Sequence, residues 1–193
     1  MARIIWDVSM SLDGFTTGPN VRPEAPMGDG GEALHSWMAG EGPGGATDRA
    51  VLDAVNADLG ATIIGRHTFD LALTIWGGTP WAGIDCFVIT NRPRAALAGD
   101  NGGTFFFGAL EQAAGGARDM AGEDNINILG ASVARQLLRA GQVDLIRLHI
   151  VPILLGGGTP AFAGERVKLV PEGPPASGSV IHQLLRVENA KAR

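Results

Sequence analysis

The chain has a single cysteine, no long apolar run and no excess of positive charge, and each shortage removes a class of protein. One cysteine in 193 residues, Cys86, excludes an internal disulfide and fits a reducing compartment, where it reads as a small core residue. No stretch approaches the length of a membrane span, so no membrane association is expected. Fifteen Lys and Arg stand against twenty Asp and Glu. With a net charge of −5 there is no basic stripe to neutralise a nucleic-acid backbone. No set of His, Cys and carboxylates has the spacing of metal ligands, so no metal is expected. Nor is there a recognisable nucleophilic triad. Met1-Ala2-Arg3 leads straight into a strand pattern, which gives the expectation of a cytoplasmic chain without a signal peptide. Hydrophobic content of 45% and charged content of 18% are globular values, and the length suits one domain over residues 1–193.

What the chain has in quantity is glycine, 29 residues gathered in turns. The most informative lie in Asn127-Ile128-Leu129-Gly130-Ala131-Ser132-Val133, where a short apolar run ends in Gly-Ala-Ser. Apolar residues then recur at Val133, Leu137 and Leu138, the spacing of one helix face. Strand, glycine turn and helix together aim unpaired N–H groups and a positive dipole end at one spot, which suits a phosphate. Ala61-Thr62-Ile63-Ile64-Gly65-Arg66-His67-Thr68 repeats the pattern, with Thr68 as a candidate helix cap. Cys86-Phe87-Val88-Ile89 is followed at once by Thr90, Asn91, Arg92 and Arg94, whose guanidinium forks fit a phosphate. Ligands of α/β sheets collect outside the carboxyl ends of the strands, so three such turns imply one dinucleotide lying across them.

The pattern of elements is alternating. Strands are expected at Arg3–Met10, Thr62–Ile64, Cys86–Thr90, Thr104–Phe106 and Asn127–Leu129. Helices are expected at Thr47–Leu59, Thr68–Leu73, Leu110–Met120 and Ser132–Ala140, with a short one at Gly31–Met38. In the first of these helices Thr47 or Asp48 is the expected cap, and Val51, Leu52, Val55 and Leu59 the apolar face. After Gly141 only strands follow, at Leu145–Val151 and Val180–Val187. That predicts an α/β fold, a central mostly parallel sheet flanked by helices and finished by antiparallel strands.

Five blocks in order carry a family resemblance: Ser11-Leu12-Asp13-Gly14, Gly65-Arg66-His67-Thr68-Phe69, Thr90-Asn91-Arg92, Gly130-Ala131-Ser132, and Val151-Pro152-Ile153-Leu154-Leu155-Gly156-Gly157-Gly158. The chain resembles the dihydrofolate reductase-like superfamily, in particular the reductase domain of the bifunctional riboflavin-biosynthesis deaminase/reductase. The resemblance implies an NADPH-dependent reductase of a planar heterocycle, of the 5-amino-6-(5-phosphoribosylamino)uracil reductase type, acting as a homodimer. Alternatives are a true dihydrofolate reductase and, from another class, a non-catalytic nucleotide-binding module.

The same resemblance distributes roles. Gly65, Arg66, His67, Thr68, Gly130, Ala131, Ser132 and Val133 would hold the pyrophosphate, and Thr90, Asn91 and Arg92 the 2′-phosphate, with Arg94 as second choice. His67 reads equally as a phosphate donor and as a solvent-exposed residue. Backbone groups near Ser9 and Thr16 would take the carboxamide, while Leu155, Gly156 and Gly157 would let the backbone pass close to the cofactor. Asp13 would lie at the edge of the substrate pocket, and His35 or Trp37 could stack on the substrate ring; core packing is the other reading of Trp37. For the catalytic carboxylate the positional counterpart is Asp48, which also reads as a helix cap, with Glu32 as a further candidate. His149 and His182 alternate with apolar neighbours and read as structural. The only lysines, Lys168 and Lys191, come late, so the chain departs from the riboflavin branch where a ribityl phosphate would be recognised.

Overall fold

A computed structural model describes residues 2–188 and so excludes Lys191. In chain order these residues form β1 (Ile4–Ser11), a 3-10 helix (Gly31–Ala39), α1 (Gly45–Ala57), β2 (Leu59–Gly65), α2 (Arg66–Trp76), β3 (Cys86–Ile89), β4 (Leu97–Ala98) and β5 (Thr104–Gly108). There follow α3 (Leu110–Ala121), β6 (Asn125–Leu129), α4 (Ala131–Arg139), β7 (Leu145–Val151), β8 (Lys168–Pro171), β9 (Ala176–Ser177) and β10 (Ile181–Glu188). The fold is α/β, with parallel strands flanked by helices and antiparallel strands at the end of the chain. Two compact units are present: residues up to Ile5 with Asp58–Val143, and Trp6–Ala57 with Asp144 onward. Among the described residues no helix is long and apolar enough to cross a membrane.

In the first unit the strand order is β4-β5-β3-β2-β6. β2 runs parallel to both β3 and β6, and β3 parallel to β5. These strands are apolar almost throughout, as parallel strands covered on both faces must be. Ile64, Phe69, Cys86, Val88 and Phe105 form one core cluster, with Phe69 edge-on to Phe105 and Phe107. Helix α3 presents Ala113, Ala114, Ala117 and Ala121, all buried, and packs on β2 and β3. Small residues let it come close: a Cβ on Gly116 would stand 2.7 Å from the Phe87 ring.

In the second unit β1, β7, β10 and β8 are successive neighbours, and β9 pairs with β10. β10 is antiparallel to β7, β8 and β9. Leu34 and Trp37 of the 3-10 helix pack with Val151 and Val180. Trp6 is fully buried and meets Phe162 edge-on.

Several boundaries differ from the sequence-based expectation, for local reasons. Leu59 opens β2 instead of closing α1, because the chain turns at Asp58 and β2 enters through an irregularity between Leu59 and Ala61. Gly60 sits within it, where a Cβ would stand 2.8 Å from Ala121 Cα. Helix α2 begins at Arg66 rather than Thr68, so Thr68 is inside the first turn and Gly65 is the cap. Helix α1 begins at Gly45, so neither Thr47 nor Asp48 caps it. Strands β4, β8 and β9, of two to four residues, are too short to leave a periodic signature.

Candidate functional site

Four parallel strands of the first unit end in line. Gly65 pairs with Ile89, Ile64 with Leu129, and Ile89 with Gly108, so the carboxyl ends of β2, β3, β6 and β5 share one edge. Two of these ends pass directly into helices, α2 after Gly65 and α4 after Gly130, and neither cap supplies a side-chain hydrogen bond. The first N–H groups of each helix therefore have no partner from a capping side chain, and the dipoles add a positive potential there. The glycines fit this closeness. Gly130 has φ +94°, and a Cβ on it would stand 2.9 Å from Thr68 Oγ1; one on Gly65 would stand 3.1 Å from Val133 Cγ2. Each turn thus abuts the helix that follows the other, leaving backbone rather than side chain at the edge.

The third turn is shaped by its own residues. Thr90 is buried, donates its N–H to Gly108 O at 2.8 Å, and accepts the Arg92 N–H on its hydroxyl at 3.0 Å. This folds Asn91 and Arg92 outward, and both are exposed. The other arginines are engaged. Arg66 Nε donates to Asp70 at 2.8 Å along its own helix and its guanidinium lies over Phe69. Arg94 lies over the Phe107 ring at 5.2 Å. His67 and Ser132 are exposed, whereas Ala131 and Val133 are buried. A fourth strand end, Gly108 before the α3 cap Ala109, lies on the same edge. Sequence reasoning missed it because it closes β5 at Phe106.

In the second unit Asp13 is a clamp. Its carboxylate accepts the Ser11 hydroxyl at 2.6 Å, the Leu155 N–H at 3.1 Å and the Gly156 N–H at 2.7 Å. Above all the Ser11 bond, with the two N–H groups, holds its pKa below the usual carboxylate value despite some desolvation. An ionised, fully engaged carboxylate positions the 155–156 turn; it does not donate a proton. Gly157 follows that turn, half-buried, and Gly156 has φ +69°. Thr16 donates its N–H to Thr159 O at 2.8 Å, tying down the segment after Gly14.

Asp48, expected as catalytic carboxylate or cap, is neither at a cap nor open to solvent. It is 1% exposed and accepts the Ser179 N–H at 3.0 Å, the Ser179 hydroxyl at 2.6 Å and His182 Nε2 at 2.9 Å. Burial alone would raise its pKa, but the bonds from Ser179 and His182 outweigh it and the net shift is downward. Trp37, expected to stack on a substrate ring, is 2% exposed. Its indole N–H donates to Ser9 Oγ at 3.0 Å and its ring already lies on His149, centroids 4.4 Å apart, so the core reading holds. His35 is half-buried, and burial followed by the nearby His149 lowers its pKa. Glu32 is exposed.

Sequence reasoning passed over the polar line that Asp48 joins. His149 and His182 contact each other and reach Asp7 and Asp48. The available signal was Asp7 itself, a carboxylate set in the otherwise apolar Ile4-Ile5-Trp6-Asp7-Val8.

Residues 122–182 match the family model of the RibD C-terminal domain. No curated protein matches the chain. Among solved structures it is similar to a protein of Shewanella sp. PV-4 assigned to riboflavin biosynthesis, with 20% identity, TM-score 0.69, and 98% and 100% of the two chains covered. It is also similar to RibD of Acinetobacter baumannii, with 14% identity and TM-score 0.60 over 97% of this chain, which spans 58% of that one. A dihydrofolate reductase of Enterococcus faecalis complexed with NADP(H) gives 17% identity and TM-score 0.55, over 98% and 97%. The fold these share is the dihydrofolate reductase-like fold.

Proposed function

We propose that this chain is an NADPH-dependent reductase of a planar heterocycle, of the type that reduces 5-amino-6-(5-phosphoribosylamino)uracil in riboflavin synthesis. The observation that carries the reading is the row of strand ends in the first unit. Two uncapped helix starts and an outward-facing Arg92 turn lie along one edge. Gly65–Thr68 and Gly130–Val133 would hold the pyrophosphate, and Asn91 and Arg92 the 2′-phosphate. The bound nicotinamide supplies the hydride. The protein's share is to bind it, orient it and keep water out, for which no nucleophile is required. The match of residues 122–182 to the RibD C-terminal domain supports the substrate class. The reading goes with a cytoplasmic enzyme of small molecules, working as a homodimer.

One observation favours a second reading. Both sequence-derived acids, Asp13 and Asp48, spend their oxygens on the protein itself, as they would in a nucleotide-binding module without turnover. The deciding experiment follows NADPH oxidation at the nicotinamide absorbance with the ribosylamino- and ribitylamino-pyrimidines and with dihydrofolate. Turnover of a pyrimidine is expected. Tight NADPH binding without turnover of any acceptor would favour the module, preference for dihydrofolate would favour a dihydrofolate reductase, and failure to bind NADPH would sink all three. Light scattering should give about twice the 20.0 kDa chain mass; a monomer would remove the homodimer from the reading.

A further inference from the structure

Five elements of the second unit converge on one buried polar line. The antiparallel register of β7 and β10 sets His149 opposite His182. Their Nδ1 atoms meet at 2.6 Å, with the rings 0% and 4% exposed. The outer nitrogens face carboxylates: His149 Nε2 stands 3.1 Å from Asp7 Oδ1, and His182 Nε2 2.9 Å from Asp48 Oδ1. Trp37 of the 3-10 helix covers both rings.

Counting protons decides the state of this line. The three contacts need three hydrogens, whereas two neutral imidazoles carry only two. With both carboxylates ionised, a two-proton line leaves one contact as lone pair against lone pair. Either the two Nδ1 atoms repel at 2.6 Å, or a bare Nε2 faces a carboxylate oxygen. A buried contact of that kind has no water to relieve it. Charge counting agrees. Asp7 and Asp48 bring two negative charges, and Arg147, 2.8 Å from Asp7 Oδ2, brings one positive charge. One more proton makes the cluster neutral, as buried ions require. A metal ion cannot take its place, since two ligands each roughly 2.0–2.1 Å from zinc would stand farther apart than these nitrogens do.

We propose that His149 and His182 form a buried proton-binding site, holding one proton between their Nδ1 atoms at neutral pH as an imidazolium–imidazole pair. This bound proton fastens β1, α1, β7 and β10 to one another. The titratable and charged groups facing the pair are Asp7 from β1, Asp48 from α1, Arg147 on β7 and His35 from the 3-10 helix. Burial is the largest influence on His182 and lowers its pKa, against the Asp48 hydrogen bond that raises it. The line opens outward at its ends, through the exposed Ser179 and the 15%-exposed Asp7 side chain, so the proton can exchange without unfolding. None of this depends on the reductase reading.

The test is nuclear magnetic resonance on the whole chain with 15N-histidine and 13C-aspartate. One low-field proton coupled to both Nδ1 atoms is expected at neutral pH, with both Nε2 atoms protonated and both carboxyls ionised. His182→Gln keeps a donor toward Asp48 and removes the facing Nδ1, so that signal should vanish while the Asp48 carboxyl stays ionised. A protonated Asp7 or Asp48, or a ring whose Nε2 carries no proton, would overturn the proposal. The wild-type spectrum decides this alone if the variant does not fold.

Discussion

Arg92 and Arg66 show how little a residue type says without its neighbours. Both follow a strand directly, yet Arg66 is bonded to Asp70 along α2, while Arg92 projects from a turn that Thr90 has folded outward. The NADPH reading therefore rests on Arg92. A charge-assisted hydrogen bond is worth about 1.5–3 kcal/mol. Arg92→Ala should weaken NADPH binding by roughly tenfold to a hundredfold and leave NADH nearly unchanged, at about 1.4 kcal/mol per decade. Calorimetric titration showing equal losses would make the arginine structural. Asp48 makes the opposite point: the sequence placed it near a helix start, and only the fold reveals that Ser179 and His182 consume its oxygens. Asp48→Ala leaves the buried His182 and the Ser179 hydroxyl without their acceptor and should cost about 3–5 kcal/mol in urea unfolding. A loss under 1 kcal/mol would mean that water replaces the carboxylate. Cys86, read from its being the lone cysteine as a small core residue, is fully buried. Burial pushes its thiol up to about 12, so it should resist thiol reagents until the chain unfolds.

At the scale of elements, what was legible is what is local. The strand-glycine-helix units at Gly65 and Gly130 announce themselves within about ten residues, through a run of apolar residues, a glycine and a change of period. The structure sets both on one edge because β2 and β6 are parallel neighbours. The His149–His182 pair was illegible for the converse reason. It depends on the register of two strands far apart in sequence, and on a helix from a third segment that brings Asp48. The cap expected at Thr68 is misplaced because α2 is capped by Gly65, which contributes no side chain, where Ser, Thr or Asp would be looked for. The Gly130 turn is correspondingly intolerant. At φ +94° a side chain is strained by about 1–3 kcal/mol, and its Cβ would also press on Thr68 Oγ1. Gly130→Ala should lower stability by that order and weaken NADPH binding more than Gly115→Ala, a helical glycine whose Cβ would meet nothing within 4 Å. Equal behaviour of the two variants in thermal unfolding and cofactor titration would show that the turn is not under constraint.

At the scale of the whole molecule, the buried groups give stability a direction in pH. The folded pKa of His182 is lowered, chiefly by burial, so between that value and the ordinary value near 6.5 the unfolded chain binds a proton that the folded one refuses. Stability is then present above about pH 6.5 and falls as the pH drops below it, by up to about 1.4 kcal/mol per unit for each proton in excess. Asp7 and Asp48 act in the same sense at lower pH. Burial opposes their ionised forms, but His149 and Arg147 hold Asp7 below its ordinary value, and Ser179 and His182 do so for Asp48. Their contribution is lost only as the pH falls through the carboxylate range, near 4 and below. Urea midpoints should therefore decline in two stages on acidification, the first starting near pH 6.5. In His182→Gln the first stage should become shallower and the second remain, because Gln cannot take up a proton while His35, whose pKa is also lowered, still titrates in the same range. A variant whose early decline matches the wild type would place that proton on another group, with half-buried His35 the next to replace.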